Sequence, residues 1–270
     1  MALDAVARNG LVLLGCGKMG TALLSGWLRA GLPAASVWVI EPNPADWLKG
    51  AGVHLNEGTP PAPAVAVIAV KPQMMGAALP ALQALGRGRT LFISIAAGTT
   101  IAAFEAVLGA GTPIVRTMPN TPATVGRGIT GLCKNADSTA ADLALAQALM
   151  AAVGDVVVLE GEHQIDAVTA VSGSGPAYVF HLIEAMAAAG VAQGLEPDTA
   201  MRLARATVCG AGELAFHSPD SAAQLRINVT SPGGTTAAAL AVLMDEGTGM
   251  PPLLARAVKA AADRGRELGK

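Results

Sequence analysis

The residues best equipped for chemistry are Gly15-Cys16-Gly17-Lys18-Met19-Gly20, a G-x-G-x-x-G run set between the apolar Leu11-Val12-Leu13-Leu14 and the helix-forming Thr21 to Ala30. Strand, glycines and helix in that order predict a phosphate-binding turn. Gly15 permits the tight turn, Gly17 lets the backbone approach a diphosphate, and Gly20 allows the helix to pack closely on the strand. The free N–H groups and positive dipole end at the helix start then hold the phosphates. A glycine turn that binds nothing is the alternative, and the flanking strand and helix weigh against it.

Three further groups extend this site. Val37-Trp38-Val39-Ile40 ends in Glu41, where dinucleotide folds place an acid on the adenosine ribose. Glu41 favours NADH, because a 2'-phosphate there meets like charge and no Lys or Arg follows until Lys49; a solvated acid at a strand end is an equally open reading. Ala66-Val67-Ile68-Ala69-Val70-Lys71-Pro72 sets a cation and a helix-starting proline at a strand's carboxyl end, where ligands bind in such sheets. A loop lysine on the surface is its plain alternative. Ile93-Ser94-Ile95-Ala96-Ala97-Gly98 is a third strand ending in small residues, which admit a cofactor close to the main chain, with tight-turn geometry as the alternative. In the second half, Val171-Ser172-Gly173-Ser174-Gly175-Pro176-Ala177-Tyr178 and Asn228-Val229-Thr230-Ser231-Pro232-Gly233-Gly234-Thr235-Thr236-Ala237 are small-residue turns opening helices. Glycines and hydroxyls at a helix start cradle an anion such as a carboxylate. Ordinary capping by Ser231, Thr235 or Thr236 is the competing explanation.

The elements that must position these residues divide the chain near residue 161. Before it, short apolar runs alternate with helical stretches, the pattern of βαβ units around a buried parallel sheet. Strands are expected over 10–14, 36–40, 65–70, 91–95, 114–117, 129–133 and 155–159, with prolines 42, 44, 60, 61 and 63 punctuating the loops. After it the pattern is helical, over 164–171, 176–193, 198–216, 221–228, 235–246 and 252–268. The fold predicted is an α/β Rossmann-type dinucleotide-binding domain, 1–161, followed by an all-α dimerisation domain, 162–270. The helix from Pro176 is apolar almost all round, so it is expected to be buried and covered on every side, with a subunit interface as the cover.

Composition narrows the function. With 270 residues, 52% hydrophobic and 14% charged, the chain has material for sizeable cores. A net charge of -2 and 3% aromatics give neither the basic field nor the stacking surfaces nucleic acid requires. Cys16, Cys133 and Cys209 are odd in number and far apart, which fits a reducing cytoplasm better than a disulfide framework or zinc site. The opening MALDAVARNG lacks a basic segment leading into an apolar one, so no signal peptide is expected. The apolar stretch Gly175 to Gly190 carries His181 and Glu184 and is shorter than a bilayer crossing needs, so no membrane partner is expected. His54, His163, His181 and His217 show no metal-ligand spacing.

Together the residues resemble those of pyrroline-5-carboxylate reductase, from the Gly15 turn to about Leu240. The most specific pieces are Ala69-Val70-Lys71-Pro72, Arg116-Thr117-Met118-Pro119-Asn120-Thr121-Pro122, Ile165-Asp166-Ala167-Val168-Thr169, the Ser172 to Tyr178 turn, and Ser231-Pro232-Gly233-Gly234-Thr235-Thr236. The resemblance implies reduction of 1-pyrroline-5-carboxylate to L-proline with NADPH or NADH, in homodimers able to assemble further into decamers. It assigns Gly15, Cys16, Gly17, Lys18, Met19, Gly20, Asn56, Ala69, Val70, Lys71, Pro72, Ile95, Ala96, Ala97 and Asn228 to the dinucleotide, with Met118 to Thr121, Asn120 among them, near the nicotinamide. It assigns Glu162, Thr235 and Thr236 to the substrate. Glu41-Pro42-Asn43 departs from relatives that offer hydroxyl or basic residues to a 2'-phosphate, and Pro219 and Ile227 stand where relatives often carry acids.

The chemistry so implied is hydride transfer from nicotinamide to an imine carbon, which orientation alone promotes strongly. A protonated imine needs no strong general acid, which suits a site offering the Thr236 hydroxyl to the imine nitrogen. Gly234 to Thr236 N–H groups and the Ser231 hydroxyl then hold the carboxylate, with Gly233 shaping the turn. Glu162 either orients the nitrogen or caps the helix after it. A β-hydroxyacid dehydrogenase is the nearest rival, but Gly175 to Gly194 lacks the lysine those enzymes use. A dinucleotide sensor without turnover is the other, and it has no use for the Ser231 to Thr236 turn.

Overall fold

A computed structural model describes residues 2–269. In chain order its regular elements begin α1 (Ala2–Asn9), β1 (Leu11–Leu14), α2 (Lys18–Arg29), β2 (Val37–Ile40), α3 (Asp46–Lys49), β3 (His54–Leu55), β4 (Val65–Ile68), α4 (Met75–Ala78), β5 (Leu91–Ser94) and α5 (Ile101–Leu108). They continue with β6 (Ile114–Met118), β7 (Gly128–Lys134), α6 (Ala140–Ala151), β8 (Gly154–Val158), α7 (Ile165–Val168), α8 (Gly175–Ala192), α9 (Pro197–His217), α10 (Ala222–Asn228), α11 (Thr235–Leu243) and α12 (Met250–Leu268).

The strands form one eight-stranded sheet in the order β3-β2-β1-β4-β5-β6-β7-β8. Alternation along each strand feeds two cores. Leu11 and Leu13 join Val6, Trp27, Val37, Val39 and Leu149 on one face, while Val12 and Leu14 join Leu79, Phe92 and Phe104 on the other. A sheet covered on both faces explains why these strands read as continuous apolar runs.

The parallel arrangement expected of the whole sheet stops at β6. β7 pairs with β6 antiparallel, Arg116 opposite Cys133, and β8 runs parallel to β7. The cause is the connection: Thr121–Val125 makes only a short 3-10 turn, and a parallel return needs a crossover of a dozen or more residues.

Trp27 ties the first core together. Its ring is fully buried, and its Nε1 donates to the Leu149 carbonyl at 2.8 Å, joining α2 to α6. Trp27→Phe should lower stability by about 2 to 4 kcal/mol, from the lost bond and the cavity together, as urea denaturation of wild type and variant would show.

Two compact units result, residues 1–173 with 261–270, and residues 174–260. The segment 162–173, grouped by sequence with the helical half, packs with the sheet because Ile165 is buried in its second core. In the other unit α8 and α9 meet through Ala187, Ala200 and Ala204, and a Cβ on Gly190 would stand 3.2 Å from that of Ala200.

Within its own chain α8 is largely uncovered: only Ala187 is buried and Phe180 is 60% exposed, while small residues pair it with α9. Val179, Leu182 and Met186 are exposed as well, an apolar surface of the sort that marks an interaction face. By length and composition alone Glu162–Ala192 would suffice to cross a membrane, but it is built of separate pieces: α7 with Ile165 in the second core of the sheet, and α8 beginning at Gly175.

Candidate active site

The glycine turn is built as its sequence predicts. Gly15, at the end of β1, has φ +90, and a Cβ there would lie 2.9 Å from the Ala69 carbonyl carbon. Gly20 touches the turn from α2, where a Cβ would fall 2.5 Å from the Gly15 oxygen. Around Gly17 there is open space: its Cβ would meet nothing within 4 Å. Gly17 is the N-cap of α2 and no side chain caps that helix, which leaves first-turn amides for a ligand.

Glu41 and Asn56 brace this turn. The Glu41 carboxylate accepts from Cys16 N–H at 2.8 Å and from Asn43 N–H at 3.0 Å. Asn56, in the left-handed region at φ 57, accepts from Glu41 N–H and donates to the Glu41 carbonyl, both at 2.9 Å. Burial raises the Cys16 thiol above its ordinary pKa, the Thr21 hydroxyl opposing and the Glu41 charge adding to the rise.

β1, β4, β5 and β6 are parallel neighbours, so their carboxyl ends share one edge of the sheet. A cleft of about 690 Å³ opens there, lined by Gly17 to Met19, Ala69 to Pro72, Ile95 to Ala97, Met118 to Thr121, and Gly173. Segments separated by some 150 residues in sequence are thus assembled as expected, with the Lys18 and Lys71 cations on the cleft. Each wall is fastened from behind. Ser94 Oγ accepts from Ala96 N–H at 3.2 Å, and the Thr117 hydroxyl donates to the Ser94 carbonyl at 2.9 Å. Asn120 accepts from Ile129 N–H and donates to the Ser172 carbonyl.

In the second unit, the turn before α11 has Gly233 at φ +68 and Gly234 as N-cap, with Thr235 and Thr236 in the first helical turn. No side chain caps α11, so capping does not account for the three hydroxyl residues. Within the turn the Gly234 N–H donates to the Ser231 carbonyl at 3.0 Å.

Family comparison decides what this combination belongs to. The family model described as pyrroline-5-carboxylate reductase dimerisation matches residues 162–268, and one described as NADP oxidoreductase coenzyme F420-dependent matches residues 10–98. The chain is 42% identical over 266 residues to pyrroline-5-carboxylate reductase of Pseudomonas aeruginosa, covering 96% of this chain and 97% of that one. The chain belongs to the pyrroline-5-carboxylate reductase family. Its fold superposes on the Coxiella burnetii pyrroline-5-carboxylate reductase with a TM-score of 0.90 at 35% identity, covering 97% of this chain and 99% of that one. It superposes on Plasmodium falciparum pyrroline carboxylate reductase with NADP bound with a TM-score of 0.82 at 29% identity, over 97% and 99% of the two chains.

Three residues given roles by the family resemblance hold partners within the chain. Glu162 caps α5 and not the helix that follows it: its Oε1 accepts from Ile101 N–H at 2.7 Å and from Arg116 Nη1 at 2.6 Å. The Asn56 amide is spent on Glu41. Asn228 lies in the second unit, where it accepts from Gln224 at 2.7 Å and donates to Asp220 at 3.3 Å. Gly173 was not singled out as a cleft residue, although a Cβ there would press on Met118 Cε at 2.7 Å. Its signal was present in the Ser-Gly-Ser-Gly turn, but contact with Met118 depends on the tertiary fold. Among the described residues no group of three or more His, Cys, Asp or Glu is arranged to hold a metal.

Proposed function

We infer that this protein reduces 1-pyrroline-5-carboxylate to L-proline with NADH or NADPH as electron donor, the last step of proline biosynthesis. The observation that carries this reading is the glycine-turn cleft on a chain whose remaining length, 162–268, matches the dimerisation segment of that reductase family. The cleft fits a dinucleotide on its own geometry: the open space at Gly17 and the uncapped start of α2 are what a diphosphate requires. Gly15 to Gly20 would hold that diphosphate, Glu41 the adenosine ribose, and Ala69 to Pro72, Ile95 to Ala97, Met118 and Asn120 the remainder. When bound, the reduced nicotinamide supplies the hydride that the imine carbon takes up.

The chain's own residues bind and orient. Ser231 and the N–H groups of Thr235 and Thr236 hold the substrate carboxylate, with Gly233 and Gly234 shaping the turn, the Gly234 N–H donating to the Ser231 carbonyl at 3.0 Å. The Thr236 hydroxyl bonds the ring nitrogen, which keeps its proton as the carbon–nitrogen double bond becomes single. Glu162 engages Arg116 and Ile101 through Oε1 alone, and its other oxygen serves the substrate. In functional terms residues 1–161 serve the nucleotide, and residues 162–270 serve substrate and dimerisation. The exposed apolar face of α8 supports a homodimer, and three free cysteines support a cytoplasmic setting.

Purified protein mixed with NADH and pyrroline-5-carboxylate should oxidise NADH and form proline in equal amounts. No imine-dependent oxidation of either cofactor would overturn the reading. The same assay tests Glu41: wild type should favour NADH, and Glu41→Gln, which keeps an acceptor for Cys16 N–H, should shift the NADPH to NADH ratio of kcat/KM upward by about tenfold through lost charge repulsion. An unchanged ratio would remove Glu41 from cofactor choice.

A further inference from the structure

The cleft wall that ends in Ile95, Ala96 and Ala97 is a loop, 95–100, running from β5 into α5. Loops of this kind are mobile unless fastened. Its far end is fastened twice, by the Thr100 hydroxyl, which accepts from Ala103 N–H at 3.2 Å, and by a carboxylate from outside the loop. Glu162 Oε1 takes the N–H of Ile101, the first residue of α5, at 2.7 Å, an amide with no acceptor inside the helix. The charge also sits at the positive end of the α5 dipole. Arg116, 5% exposed, holds the same oxygen at 2.6 Å, and Arg116 stands on β6 two residues before the cleft residue Met118. In mid-loop Gly98, at φ +70, lies under α12, with its absent Cβ 3.2 Å from Leu268 Cβ.

We propose that Glu162 is a positioning residue for the dinucleotide, its carboxylate clamped between Arg116 and the first amide of α5 so that the 95–100 loop is held in shape to receive the cofactor. The proposal rests on the reading that the cleft binds NAD(P)H. It is distinguished from a purely substrate-holding role by what it moves: cofactor affinity changes, not imine affinity alone. Arg116 keeps the carboxylate charged and aimed, and the α12 end at Leu268 backs the loop from behind.

The test compares wild type, Glu162→Ala and Glu162→Gln by hydrogen exchange of the peptide covering 95–104 without cofactor, by NADH titration, and by steady-state kinetics. Glu162→Ala should speed exchange in that peptide and weaken NADH about tenfold, the effect of losing a hydrogen bond to a charged group. Glu162→Gln, which keeps an acceptor for Ile101, should recover most of the affinity. If Glu162→Ala leaves Arg116 too poorly compensated to fold, the pair Arg116→Met with Glu162→Ala removes both charges and is read the same way. Unchanged exchange and NADH affinity, or a raised imine KM alone, would overturn the proposal. Wild type that binds no NADH would instead overturn the cleft reading beneath it.

Discussion

Replacing Thr236 with alanine should lower kcat/KM for the imine by about a hundredfold or more, the usual scale for losing a group that attends a proton in the transition state. The loss should fall mainly on kcat, because the carboxylate contacts made by Ser231 and the first-turn amides of α11 survive. Stability should not fall. Thr236 lies in the first turn of a helix that no side chain caps, and alanine is the better helix former there. Thr236→Ser keeps the hydroxyl and should restore most of the rate. Kinetics with both substrates varied, beside thermal unfolding of the three proteins, checks this; a wild-type rate in Thr236→Ala would take the residue out of the reaction.

The second large effect is expected at Gly17. Its backbone angles, φ -69 and ψ -160, suit any residue, and a Cβ meets no protein atom within 4 Å. Gly17→Val should therefore fold like wild type. The added side chain takes the room of a diphosphate, however, and NADH affinity should drop by about two orders of magnitude, as backbone approach at the second glycine is lost. Gly20→Ala makes the contrasting case. Its Cβ would fall 2.5 Å from the Gly15 oxygen, so it should lose about 1 to 3 kcal/mol of stability by overpacking. Calorimetric titration with NADH and urea denaturation separate the two. Equal affinity in Gly17→Val would mean that no diphosphate lies on this turn.

What the sequence made legible was whatever depends on local order. Leu11 to Gly20 reads directly as strand, turn and helix, and three of the four strand ends that form the cleft were recognisable from apolar runs stopping at small or cationic residues, the fourth, at Met118, only from the family resemblance. The antiparallel β7 was hidden because Ile129 to Cys133 is apolar whichever way it runs; only the short Thr121–Val125 link sets its direction. β3, two residues long, is below what alternation can show, and α1 was not anticipated, although Val6 is fully buried. For α8, the apolar sequence announces that the helix must be covered and points to a second subunit, since within its own chain only Ala187 is buried. Glu162 was legible as a functional acid but not in its role, since its partners Arg116 and Ile101 are 46 and 61 residues away.

The most direct measurement of the whole account follows the hydrogen itself. The protein is given pyrroline-5-carboxylate and a reduced nicotinamide dinucleotide deuterated at its transferable positions, and the product is weighed by mass spectrometry. Proline carrying one deuterium for each cofactor oxidised is the predicted result, with label lost alongside rate in Thr236→Ala and Gly17→Val. Cofactor oxidised without proline, or proline formed without deuterium, would contradict hydride delivery from the glycine-turn cleft.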